Sequence, residues 1–536
     1  MTAPRPGTVH EVTRRTPPAM VPNGDGYVLQ KLPTGSRIVY APDPVPGLRD
    51  PDGAIRRALL HPIDMDPLPA LLRPGMRLTI AIDDISLPLP PMRWPDVRQR
   101  VLEAVLDMAA NAGVEDVEII IATSLHRRMT AGEVLDAVGR RVFDAFWPHR
   151  LYNFDAEDPD ALVELGATDS GEVVEISRRA VESDLLVYVN INLVAMDGGH
   201  KSVAVGLAGY RSLKHHHNVH TLRHTRSLMD PPHSALHSSC DRMGRLVEKH
   251  VKVFKIETTL NTDTFPQQLG FLNRREIDWS MRDRLSAEAF SRGMAALPAA
   301  RARDIFHRTR SPYALTGVHA GSTEPVHART LENVYKQHSV RVKGQTDILT
   351  AGVAYIGPYN VNSIMNPILV FCMGLGYFFN MYRGVPLVRR GGVLILTHPL
   401  REEFHPVHHP SYIDFYDQVL STTRDPVRIE EDFEERFATD SWYRQLYRHS
   451  HAYHGVHPFY MWYWGAHALE HLGDVIVVGG DRNVAERLGW RAASTLEDAV
   501  EMATQTVGRD PSITHLHAPP MMVCDVEPGD YDTGVP

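Results

Sequence analysis

Short apolar runs alternate with stretches in which apolar positions recur every three or four residues. Leu78 to Ile82, Val117 to Ile121, Leu185 to Val189 and Val251 to Ile256 read as strands. Between the first two, Val97, Leu102, Val105, Leu106, Met108 and Ala109 fall at helical spacing and stop at Gly113, a residue suited to the left-handed turn that ends a helix. Strand, helix, strand in that order is a βαβ pattern and implies a mostly parallel sheet. A second such unit comes late, with strands at Val393 to Thr397 and Val475 to Val478. There Ser494-Thr495-Leu496-Glu497 has the form of a capping box opening a helix that runs to about Thr504. The expected fold class is therefore α/β, with two α/β domains, mostly parallel sheets and an active-site cleft between the domains.

The pattern between these units sets the expected boundaries. Residues 1–25, with several arginines and prolines and no continuous apolar run, read as a flexible N-terminal arm. Residues 26–300 form the first domain, 344–510 the second, and 511–536 a C-terminal tail. The polar, irregular segment 301–343, with Pro312, Gly317, Gly321 and Pro325, reads as the hinge. The most apolar stretch, Ile364 to Tyr382, has the length of a membrane span, but Asn366, Pro367, Gly374, Gly376 and Asn380 interrupt it, so it reads as a buried helix or helix pair.

Composition narrows the partners. A chain of 536 residues can bury large cores, and a formal net charge of −9 without a sustained lysine or arginine run argues against nucleic acid or an anionic membrane as partner. Small molecules fit better. Cys240, Cys372 and Cys524 are too few and too scattered for a disulfide framework or a cysteine-ligated zinc site, which fits a cytoplasmic location.

Candidate chemistry concentrates in Gly198-Gly199-His200-Lys201 and in His215-His216-His217 beyond it. Paired glycines let backbone approach a ligand, and a lysine directly after them can clamp a phosphate or act as a nucleophilic amine. A neutral imidazole at the far end can hold a metal. The plain alternative is a glycine-rich turn ending in solvated histidines. Asp83-Asp84 and the segment Thr123 to Arg127 each follow a strand, at the ends where parallel sheets bind ligands. For the two aspartates the alternative is a turn or helix-capping role.

Taken in order with Asp155 to Asp158, Leu165 to Thr168 and Glu182 to Asp184, these segments resemble the lactate racemase family, closely over residues 75–265 and more loosely over 385–505. The resemblance implies a nickel-pincer nucleotide, a pyridinium mononucleotide holding nickel through carbon and sulfur, tethered to Lys201, with His217 as the metal's protein ligand. It further implies His126 as a proton-transferring base and Asp84, Arg178, Gly198 and Gly199 around the cofactor. The implied activity is racemisation or epimerisation of a 2-hydroxy acid by proton-coupled hydride transfer, with cofactor-synthesis enzymes as partners. An imidazole suits the base because it accepts and returns a proton near neutrality.

Departures from the family are as specific. The family's second catalytic histidine would fall in Asn190-Ile191-Asn192, an arginine at Leu87, and a tyrosine, a glutamine and a lysine near Asn362 to Ile368. The expected substrate is accordingly an acid larger or more polar than lactate. His200, beside the tether, is the expected second base, with His405 and His408 from the histidine-rich segment after Thr397 as alternatives. A family tryptophan near the substrate is matched by Trp442 or Trp464. A single-base redox isomerase of the same family and a non-catalytic metal or nucleotide binder are the other readings.

Overall fold

The computed structural model describes residues 4–517 and 521–527. Two large sheets dominate it. The first has six strands in the order Leu315–Gly321, Val253–Leu260, Leu185–Asn192, Arg77–Asp83, Asp116–Ala122 and Leu151–Asn153. All neighbours are parallel except the Leu315–Gly321 edge, which runs antiparallel to Val253–Leu260. The central strand Leu185–Asn192 is buried along its whole length, as a strand covered on both faces must be. Its period of two divides the packing. Val187, Val189 and Ile191 join Ile80, Ile82, Ile119 and Ile121 beneath helix Val97–Asn111, while Leu186 and Tyr188 face helix Ala235–Glu248. Gly113 takes the positive φ of 71° expected after that first helix.

The second sheet has seven strands, ordered Thr8–Glu11, Arg37–Tyr40, Ile513–Leu516, Thr346–Gly352, Val388–Thr397, Asp474–Val478 and Arg491–Ala493. Only the Thr8–Glu11 edge is antiparallel to its neighbour. Helix Leu496–Val507 covers one face through Leu496, Ala499 and Ala503. Its capping box is Thr495 with Asp498, one residue later than the Ser494–Glu497 pairing expected from sequence. The other face lies on the Ile364 to Tyr382 stretch, which forms helix Pro367–Phe371 followed by a π-helical turn, Cys372–Phe378, capped by Asn366. Among the described residues, no helix is long and apolar enough to cross a membrane.

Three boundary expectations are corrected. The N-terminal segment expected as an arm at 1–25 is, over its described residues 4–25, part of the fold: Thr8–Glu11 extends the second sheet and Ala19–Asn23 pairs with Gly26–Gln30. The segment 301–343 is not a hinge loop but part of helix Ala299–Arg308, the edge strand Leu315–Gly321, helix Thr323–His338 and strand Ser339–Lys343. The C-terminal tail holds Ile513–Leu516 inside the second sheet and Val523–Glu527 beside Ser339–Lys343. The rest of that tail, 518–520 and 528–536, lies outside the described residues.

Candidate active site

Beyond the carboxyl ends of both sheets lies a cleft, where parallel α/β sheets characteristically receive ligands. The first sheet contributes His126, Lys201 and His217 to its lining; the second contributes Tyr355, Tyr359, Tyr377 and Trp464.

His126 sits on the turn after strand Asp116–Ala122, and the turn is tied down from several sides. Thr123 Oγ1 donates to the Phe154 carbonyl at 3.0 Å. From the second unit, Tyr447 OH donates to the Ser124 carbonyl at 2.6 Å and accepts from Ala156 N–H at 3.0 Å, and His454 N–H reaches the Leu125 carbonyl at 3.2 Å. Ser124 holds a positive φ of 46°, a conformation that such bracing sustains. His126 Nδ1 is 2.8 Å from Asp84 Oδ2, while Asp84 Oδ1 accepts from Ser86 N–H at 2.9 Å and Ser86 Oγ at 2.5 Å. Burial pushes the Asp84 carboxyl up, but the charge and hydrogen bond of His126 and the two bonds from Ser86 outweigh it and hold the group below its ordinary range. A carboxylate on Nδ1 fixes the imidazole tautomer and leaves Nε2 to take a proton.

The turn that presents Lys201 is built on a buried charge network. Gly198 and Gly199 adopt φ of 90° and 60°, and a side chain at Gly198 would collide with Asn192 and Glu257. Glu257 accepts the Gly199 N–H at 2.7 Å and Lys255 Nζ donates to the Gly199 carbonyl at 3.1 Å, so the peptides on both sides of this one residue are held. Lys255 and Glu257 are both wholly buried, 3.8 Å apart. Burial takes the Lys255 amine down to about 8 against the pull of Glu257. Burial also opposes ionisation of Glu257, but His327, Lys255 and the Gly199 amide outweigh it and hold the carboxyl at about 2.

Lys255 also donates to Asn190 Oδ1, and Asn190 Nδ2 donates to Asp83 Oδ1 at 2.8 Å. Ile191 N–H donates to Asp83 Oδ2 at 2.7 Å, and burial pushes the Asp83 carboxyl up to about 7. Asn190 to Asn192 is thus a hydrogen-bonded strand end with no base in it. Lys201 itself begins the short helix Lys201–Gly206 and faces Asp197. Burial raises the Asp197 carboxyl, and the Lys201 charge works against that rise.

Of the three consecutive histidines only His217 lines the cleft. Burial drives its pKa well below the usual histidine value, with the charges of His216, Lys201 and His126 adding to the effect, so it is neutral. His217 Nδ1 lies 2.6 Å from His216 Nδ1, one donating and the other accepting. When His217 donates, its Nε2 carries the lone pair that a metal requires. Among the described residues no three His, Cys, Asp or Glu side chains converge as a metal site. His217 therefore suits a metal whose other ligands arrive with a bound group, and Lys201 suits the tether of such a group.

Other expected site residues lie elsewhere. His200 turns away from the cleft against Gly244, with Nε2 3.2 Å from Glu324 Oε1, and so is not placed as a second base. Successive residues of a helical turn point about 100° apart, so the turn that presents Lys201 faces His200 outward. Arg178 is exposed and binds the carbonyls of Asp160 and Leu162 at 2.8 Å each, bracing a loop rather than a cofactor. His405 and His408 stack on each other at 3.7 Å and do not line the cleft. Trp464 lines it; Trp442 is 64% exposed. Sequence reasoning missed Asp197, Tyr359, Tyr377, Lys255 and Glu257. It also missed His457, buried with Nδ1 2.6 Å from Tyr412 OH and its ring 5.4 Å from that of His126. Only Asp197, directly before the paired glycines, carried a local signal.

Residues 24–230 match the lactate racemase N-terminal domain family. The lactate racemase of Lactiplantibacillus plantarum is 26% identical over 168 residues, 31% of this chain and 38% of the relative. That of Thermoanaerobacterium thermosaccharolyticum is 27% identical over 172 residues, 30% of this chain and 37% of the relative. The chain therefore spans well under half the length of these two relatives in sequence. In structure, the lactate racemase apoprotein of T. thermosaccharolyticum superposes with a TM-score of 0.61 at 17% identity, covering 95% of this chain and 99% of that one. A Thermotoga maritima protein superposes at 0.52 and 13% identity, covering 90% and 99%. These likenesses show the fold, and the family match places a lactate racemase N-terminal domain at residues 24–230 of the chain.

Proposed function

We propose that the chain is a racemase or epimerase acting at the hydroxyl-bearing carbon of a 2-hydroxy acid, with a nickel-pincer nucleotide held by Lys201 and His217. The observation that carries this reading is the meeting of His126, Lys201 and His217 on one cleft, with Asp84 seated on the Nδ1 side of His126. When bound, such a nucleotide supplies the hydride acceptor. His126 takes the hydroxyl proton at Nε2, and the Asp84 carboxylate stabilises the imidazolium until the proton is returned. The tyrosine-rich wall and Trp464 limit water around the reacting carbon. With Asn190 to Asn192 engaged in hydrogen bonds, a single base serving a reorienting substrate fits this chain better than a symmetric pair of histidines. Cofactor-synthesis enzymes are the implied partners, and a cytoplasmic location accompanies them.

The test is protein produced together with those enzymes. Intact mass should show an adduct lost in Lys201→Ala, with nickel bound; nickel without the nucleotide would favour a non-catalytic binder. His126→Ala should lower loss of optical purity in a 2-hydroxy acid panel by about two to four orders of magnitude. Undiminished turnover in that variant would remove His126 from the mechanism.

A further inference from the structure

The walls of the cleft constrain its substrate further than the chemistry at His126 does. We infer that the acid is a monocarboxylate with a large apolar side chain, aryl or branched alkyl, an inference that rests on the proposed 2-hydroxy acid reading. Leu89, Met229, Phe265, Met373, Phe378 and Met381 all face the cleft. Aromatic rings with unbranched, polarizable methionines make a surface that adapts to bulky hydrocarbon groups and gives nothing back to a polar one.

Charge selects in the same direction. Among the described residues lining the cleft, Lys201 is the only lysine or arginine. Residues 1–3, 518–520 and 528–536 contain neither type. Nearby guanidinium groups are committed elsewhere, Arg98 to Asp96 at 2.9 Å and Arg127 to Glu133 at 2.7 Å. Asp197, the one acidic residue in the lining, opposes rather than attracts an anion. With Lys201 taken up as the tether, the described lining leaves no lysine or arginine to a second carboxylate. A dicarboxylic acid would leave its second carboxylate without a cation, a penalty that discriminates far more strongly than a poor apolar fit. Of the two directions expected from sequence, larger than lactate is the one the apolar walls favour.

Leu87 offers a way to reverse the preference. It is half-buried in the cleft lining next to Ser86, which holds Asp84 and through it His126. An arginine there would bring a cation beside the base.

The experiment uses protein loaded by co-production with the cofactor-synthesis enzymes and follows loss of optical purity of lactate, 3-phenyllactate, 2-hydroxy-4-methylpentanoate and malate. Burial of the added apolar surface should raise kcat/KM for phenyllactate or 2-hydroxy-4-methylpentanoate about ten- to hundredfold over lactate. Malate should fall at least about tenfold below lactate. Lactate or malate as the preferred substrate overturns the inference. Should none of the four acids be converted, the 2-hydroxy acid reading itself fails, and calorimetric binding of the same panel decides the inference. Phenyllactate bound at least about tenfold tighter than lactate upholds it, and no preference overturns it. In Leu87→Arg, malate should gain on phenyllactate by about tenfold or more; a variant folded by circular dichroism with the original order overturns the charge argument.

Discussion

Replacing Glu257 by glutamine tests the network that holds the Lys201 turn. The carboxyl sits at about 2 in the folded protein against an ordinary value of 4.5. At about 1.4 kcal/mol for each pH unit of that gap, ionised Glu257 contributes about 3 kcal/mol near neutrality. The group is wholly buried, so solvent screening takes little from this figure. Glutamine keeps the shape and an oxygen for the Gly199 N–H, but leaves Lys255 without its charge partner. Lys255 is already down to about 8 and sheds its proton rather than remain uncompensated, which limits the loss. Glu257→Gln should therefore destabilise the protein by about 2–3 kcal/mol at pH 7. Because the folded pKa is depressed, this contribution is present in full above pH 4.5 and is lost as pH falls toward 2. Urea unfolding followed by circular dichroism across a pH series gives the gap between wild type and variant, and by pH 3 it should be less than half its value at pH 7. A variant within about 0.5 kcal/mol of wild type at pH 7, or a gap that does not narrow with acid, would refute the assignment.

Two other measurements address the metal and the base. His217→Ala should abolish nickel retained by the loaded protein, and His216→Ala should weaken it about 10- to 100-fold by releasing the Nδ1 contact; His215→Ala should retain it, and nickel lost from that variant would move the ligand. Tyr447→Phe strips a partner from the Ser124 carbonyl and the Ala156 N–H, both bonded to the hydroxyl. It should cost about 2–4 kcal/mol and speed amide exchange in 123–128 but not in 201–206, and an unmoved unfolding midpoint would count against the bracing of the His126 turn.

Strands and helices with a local period were readable in the sequence; associations made at long range were not. Leu78 to Ile82 and Leu185 to Val189 are continuous apolar runs because both faces of their sheet are covered. Thr8–Glu11 carries no such signal, since an edge strand is only half-buried and its partners come from residues 37–40 and, beyond them, 513–516. Lys255 in a strand suggests a solvated position, and only the fold brings Glu257, Asn190 and the Gly199 carbonyl to it. Lys201 and His217 both line the cleft across only two short helices, a proximity that their nearness in sequence suggests. His200 lies off the cleft, and adjacency to Lys201 in sequence says nothing of which side of a helix a residue faces.

The order of strands in the second sheet has a consequence for how the protein is made. Every strand of the first sheet comes from residues 77–321, a stretch lying wholly within the gap between Tyr40 and Thr346 in the second. The first sheet can therefore close while the chain is still being synthesised. Strand Arg37–Tyr40 cannot find its inner neighbour, Ile513–Leu516, until that segment has been translated. At about 5–20 residues per second that wait is roughly 25 to 95 s, during which an unpaired edge stays exposed to other chains. Crowded synthesis endangers the earliest segment more than the latest.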